Sequence, residues 1–173
     1  MRRRGLTLLE VTVIIAILLV LVFSFLPAIT RACRDGHGVL NCADNLSQLW
    51  KVQNIYMQQY GGAQKRYCDR TGGAFWTYMS QLPKPLIDST MVEIYACPFK
   101  GVPPGANATD YMGPAGDVKT YQADDLVGAD KPDNHGKGGS GGGNVLRKSG
   151  DVQMLSGGDP VWLNIPKSGK LIE

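Results

Sequence analysis

Residues 11–29 carry no charged side chain, and only Thr12, Ser24 and Pro27 interrupt a run of Ile, Leu, Val, Phe and Ala. At about 1.5 Å per residue this predicts about 30 Å of helix, the thickness of a bilayer's hydrocarbon core. Whatever the remaining chain does, it has to find cover for this segment. Immediately before it stands Glu10, a carboxylate at a depth where charge is expensive. Such a group is expected either to find a partner and mark function or to snorkel toward water. Arg2, Arg3 and Arg4 precede it, and by the positive-inside rule they hold the N-terminus in the cytoplasm while the following domain is translocated.

Those three arginines equal the whole formal net charge of +3, so the chain beyond them sums to zero. That balance gives nucleic-acid binding no support. With 173 residues the chain is long enough for one domain with a core. Cys33, Cys42, Cys68 and Cys97 all follow the apolar run, as suits an oxidising compartment, and no Cys-x-x-Cys pair points to zinc. The run is too long for a cleaved secretory signal, and "LPAITRACR" offers only weak small-x-small sites. A plain signal anchor would explain the run but not Gly5 and Glu10.

"GLTLLEVTVIIAILLVLVFSFLPAI" resembles the N-terminus of type IV pilins and type II secretion pseudopilins. The resemblance implies cleavage after Gly5 by a prepilin peptidase and N-methylation of Leu6, where the family often has Phe. It makes Glu10 the fifth residue of the mature chain, neutralised on assembly by the α-amine of a neighbouring copy's Leu6. Pro27 stands where pilin helices commonly kink. A narrower similarity, to bacterial prepilin-like proteins, rests on "YACPFKG", "YMGPAG" and "NHGKGGSGGGNVLRKSGDVQML". In that group an Asp-Gly turn precedes the last strand, whereas here Ser149-Gly150 comes before Asp151.

The implied fold class is α+β and pilin-like: a long N-terminal helix, its first half membrane-spanning, packed on a small antiparallel sheet. Residues 1–5 form a cytoplasmic leader, 6–30 the transmembrane and assembly half of the helix, 31–62 its second half, and 63–173 the globular domain. In "CADNLSQLWKVQNIYMQQYGG" the apolar positions recur at three to four residues and end at Gly61-Gly62, predicting a core-facing helix. Gly36 and Gly38 weaken the helix, with a break expected near 35–38. "AFWTYMSQLPKP" predicts a short helix stopped by Pro83 and Pro85, "MVEIYAC" a strand, and "NVLRK" with "DVQML" a hairpin.

The loop "YQADDLVGADKPDNHGKGGSGGG" gathers Asp124, Asp125, Asp130 and Asp133, oxygen ligands of the kind calcium takes. Major pseudopilins keep a calcium-holding loop in a similar place. His135 reads as a hydrogen-bonding residue that orders its loop. The glycine run lacks the Gly-Lys-Ser/Thr ending of a phosphate loop, and no nucleophile–base pairing is visible, so the chain is not read as an enzyme. The expectation is a filament subunit seated in a bacterial inner membrane with its C-terminal domain outside. Its partners would be copies of itself or other pilins, prepilin peptidase, an inner-membrane assembly platform and lipid. The alternative is a membrane-tethered, calcium-dependent binding module that does not polymerise.

Four cysteines permit three pairings. The narrower resemblance implies Cys42–Cys97. Cys33, however, is added together with "DGHG", which suggests a local Cys33–Cys42 bridge with Cys68–Cys97. In an unbroken helix Cys33 and Cys42 would lie about 13 Å apart, beyond the roughly 7 Å a disulfide spans, so that pairing requires a bend between them.

Overall fold

The structure, a computed structural model, describes residues 8–100 and 107–173, with the side chains of 8–10, 16 and 22–39 outside the described set. Helical backbone covers Leu8–Gln59 (α1). The chain divides into two compact units, Met1–His37 and Gly38–Glu173. The boundary falls in "DGHG", although the backbone there is helical where a break was expected.

The pilin-like fold class and the inner-membrane location are both corrected. Among the described residues no helix is long and apolar enough to cross a membrane. The second unit is built on a five-stranded antiparallel sheet with short helices, and residues 40–59 are the helical stretch that packs there.

Its strands are β1 (Tyr111–Pro114), β2 (Leu126–Asp130), β3 (Gly143–Arg147), β4 (Val152–Leu155) and β5 (Leu171–Ile172), in the order β4-β3-β2-β1-β5. The first four form a meander, and β5 returns beside β1 after the helix α3 (Pro160–Ser168). α3 begins where Asp159 accepts a hydrogen bond from Val161 N with Pro160 following, and it ends at Gly169 in the left-handed region.

The two faces of the sheet bury different cores, and in β2 a register shift between Leu126 and Gly128 offsets the period-two alternation so that Val127 and Ala129 join different ones. Tyr111, Val127 and Leu146 pack with Cys42, Leu46, Leu49 and Trp50 of α1 and with Phe75 and Trp76 of α2 (Gly73–Thr77). On the opposite face Met112, Ala129, Val145 and Leu155 pack with Trp162 and Ile165 of α3 and with Leu171. The buried positions 42, 46, 49, 50 and 53 of α1 lie on one helical stripe. Within that stripe Gln53 is polar, and its amide donates to Phe75 O, tying α1 to α2. Gly128 leaves room for the indole: a Cβ there would stand 2.8 Å from the Trp76 ring.

The hairpin and the short "AFWT" helix appear where expected, with Gly150 at φ 98° in the β3–β4 turn. "MVEIYAC" does not form a strand: Val92–Tyr95 is a single 3-10 turn. The turn directs both Ile94 and Tyr95 into the core on the α1 side of the sheet.

Leu46 is fully buried and Leu163 is 56% exposed. Leu46→Ala is expected to lower unfolding free energy by about 2–5 kcal/mol in a urea titration, whereas Leu163→Ala should stay within about 0.5 kcal/mol.

Candidate functional site

At one end of the α1 face of the sheet, chemistry-bearing side chains from five segments meet inside the domain. β2 ends in Asp130, which is fully buried. A carboxylate there must be hydrogen-bonded, and its Oδ2 accepts from Asn144 N at 2.7 Å, Asn144 Nδ2 at 2.9 Å and His135 Nε2 at 2.9 Å. Asn144 lies on β3 and His135 in the loop between the two strands, so one oxygen joins strand, strand and loop. The loop folds tightly enough that a Cβ on Gly141 would lie 1.6 Å from His135 O. Asn134 Nδ2 donates to Asp110 O at 2.7 Å, fastening the loop to the chain entering β1.

Cys42 on α1 and Cys97 after the Val92–Tyr95 turn complete the group. Their sulfurs are 3.2 Å apart, a thiol–thiol contact rather than a bond of about 2.05 Å. A ring nitrogen of His135 and the two sulfurs all lie within 4.8 Å of one another. Among the described residues this is the only grouping of three or more His, Cys, Asp or Glu ligand atoms with metal-like proximity. Cys97 is held by its backbone, whose N–H donates to Asp110 Oδ2 at 2.8 Å, while Lys100 bonds Asp110 Oδ1 at 3.1 Å. Asn45 on α1 donates both to Ala96 O and to the Tyr111 hydroxyl, each at 3.1 Å, which keeps the helix against the Cys97 segment. The phenyl ring of Phe99 meets the His135 imidazole edge-on, with centroids 4.7 Å apart.

The thiols differ in character. The hydrogen bond from Cys42 lowers the pKa of Cys97, while that same bond and burial raise the pKa of Cys42. Cys42 is thus the donor and Cys97 the acceptor of the contact between the sulfurs. Burial alone would depress the His135 imidazole, but the hydrogen bond and charge of Asp130 outweigh it and its pKa is raised. Asp130 Oδ1 and His135 Nδ1 are buried and have no hydrogen-bond partner among the described residues. Cys97 also lines an open cleft of about 500 Å³ together with Asn41, Asp44, Asn45, Gln48 and Glu93.

The expected sites fare differently. Gly5 and Leu6 lie outside the described residues, as do the side chains of Glu10 and Cys33. Residues 33–42 are helical and so lack the bend a Cys33–Cys42 bridge requires. Against Cys97 the structure sets Cys42 instead of Cys68, whose sulfur accepts from Arg70 N at 3.4 Å. The four aspartates are not brought together around a shared ion. Asp130 faces inward, Asp125 is paired with Lys170, and Asp133 accepts from Gly138 N at 2.9 Å. Asp124 is exposed and joins the hairpin through its carbonyl, which accepts from Arg147. The Lys170 hydrogen bond holds the Asp125 carboxyl below the usual carboxylate range. His135 does order its loop, as read from sequence, but its place beside two cysteines has no local signal, since positions 42, 97 and 135 are far apart in the chain.

Asp130→Ala would remove the acceptor that His135 and Asn144 share, and it is expected to lower unfolding free energy by about 3–5 kcal/mol. Asp124→Ala should change it by less than about 0.5 kcal/mol. Denaturant titration of the pair checks this, because a shared calcium site would make the two losses similar in the presence of the ion. No family model, curated protein or solved structure matches the chain.

Proposed function

We propose that this chain is a non-enzymatic structural subunit of a pilin- or pseudopilin-like filament, polymerising through its N-terminal helix after cleavage at Gly5. The observation that carries the reading is the apolar surface of that helix. Val13, Ile14, Ile15, Ile17, Leu18, Leu19 and Leu21 are each between 48% and 55% exposed. Consecutive helical positions point around the whole circumference, so this is apolar surface on every side and not a single stripe. A contiguous apolar surface of this kind marks an interaction site. Copies of the same helix are the cover that also uses the other N-terminal features. Cleavage after Gly5 would free the Leu6 amine, and that cation on one copy would neutralise Glu10 on the next.

The calcium-dependent binding module has less support, because three of its four carboxylates, those of Asp125, Asp130 and Asp133, are committed to separate partners.

Intact-mass measurement of the protein from cells with an active prepilin peptidase is expected to show a chain beginning at N-methylated Leu6. Glu10→Leu should be processed normally yet fail to enter filaments, scored by shearing and immunoblotting. Retained Met1, or normal filaments from Glu10→Leu, would overturn the reading.

A further inference from the structure

We propose that reduced Cys42 and Cys97 together with His135 bind a zinc-class metal ion, with Asp130 orienting the imidazole. Three observations converge on it. The sulfurs and a ring nitrogen come from three distant segments yet lie within 4.8 Å of one another. His135, with its side chain only 4% exposed, has Nε2 engaged with Asp130 and Nδ1 without a hydrogen-bond partner among the described residues. When Nε2–H donates to the carboxylate, Nδ1 carries the lone pair that a metal takes. Carboxylate–imidazole–metal is the usual outer arrangement of a histidine ligand.

A disulfide between Cys42 and Cys97 would use the sulfurs and leave Nδ1 buried and unsatisfied. An ion uses all three groups. Two Zn–S bonds of about 2.3 Å at a tetrahedral angle set the sulfurs about 3.8 Å apart. From the present 3.2 Å that is an opening of about half an ångström, whereas a bond of about 2.05 Å requires a closing of more than one. Charge favours the divalent ion too: two thiolates and a neutral imidazole balance Zn²⁺, so the buried site carries no net charge from its ligands. On binding, each Zn–S bond replaces an S–H bond and the displaced protons leave to solvent.

Three protein ligands leave one tetrahedral position for water or a small ligand. Cys97 is both a ligand and part of the wall of the 500 Å³ cleft, from which that fourth ligand can arrive.

The test uses the full chain, reduced with a phosphine and titrated with Zn²⁺ against a chromophoric chelator, with Co²⁺ as a spectroscopic substitute. One ion per chain is expected, with thiolate-to-cobalt charge-transfer absorption and the visible bands of a tetrahedral site. His135→Gln and Cys42→Ser should each weaken zinc binding on the order of 100-fold or more, and Asp130→Asn about 10–100-fold. Cys68→Ser and Cys33→Ser should leave it unchanged. Absence of zinc binding by the reduced chain, or wild-type affinity in His135→Gln, would overturn the proposal. Should the His135 variant fail to fold, the wild-type cobalt spectrum decides alone: octahedral or sulfur-free absorption defeats the site. Cysteines recovered only as a Cys42–Cys97 disulfide that resists reduction in the folded protein would defeat it as well.

Discussion

The buried carboxylate of Asp130 is the constraint around which the second unit is arranged. Placed at the end of a strand with no exposure, it has to be satisfied from within the protein. Its Oδ2 takes two donors from Asn144 on the neighbouring strand and one from His135 in the connecting loop. The loop between β2 and β3 is thereby closed over the end of the sheet, and Asn134 next to His135 secures it to β1. Cys97 is held from the same direction, since its backbone donates to Asp110, whose carbonyl accepts from Asn134. One polar network thus sets strand register, loop path and the place where the thiols meet. Such networks are stabilising only when nearly complete, so the buried atoms there without a hydrogen-bond partner among the described residues, Asp130 Oδ1, Asn134 Oδ1 and His135 Nδ1 among them, carry information.

The two units face opposite problems of burial. In Gly38–Glu173 the apolar surface is consumed internally: one sheet face takes the stripe of α1, the other takes α3. In residues 11–21 the apolar side chains are exposed on all sides of the helix. A helix hydrophobic all round is normally a buried one. The proposed filament would supply that cover, which is why the functional reading rests on this segment while the domain chemistry lies elsewhere.

The amphipathic stripe of α1, the "AFWT" helix and the last hairpin were legible because each is a local pattern: helical periodicity, proline stops and a Ser-Gly turn. The strand expected at "MVEIYAC" failed for the complementary reason. Its alternation is real, but Ile94 and Tyr95 are both drawn into the core by packing that only the tertiary fold decides. The acidic loop misled in a similar way. Composition placed four aspartates near one another in sequence, whereas strand β2 turns Asp130 inward and Lys170, from just before β5, takes Asp125. The bilayer-length run was legible as apolar, yet among the described residues it does not yield a spanning helix. The site around Cys42 and Cys97 was invisible to spacing rules, because its ligands come from a helix, a turn and a strand-connecting loop.

Cys42 and Cys97 are 55 positions apart, and beyond the end of α1 at Gln59 the elements between them are short. Closing a loop of that length in the unfolded chain reduces its entropy by an amount equivalent to about 4 kcal/mol, comparable with much of the net stability of a domain this size. Any link at this point, whether sulfur to sulfur or through an ion, therefore acts on the whole region containing α2 and its connecting turns. A link through an ion would add a third attachment at His135 and draw in the β2–β3 loop, which the sulfurs alone do not reach. Coordination would then couple α1, the Cys97 segment and the sheet end through one centre. The Asp130 network and the Asn45 hydrogen bonds already bring these three parts together; a metal would convert their hydrogen-bonded proximity into a single mechanical unit.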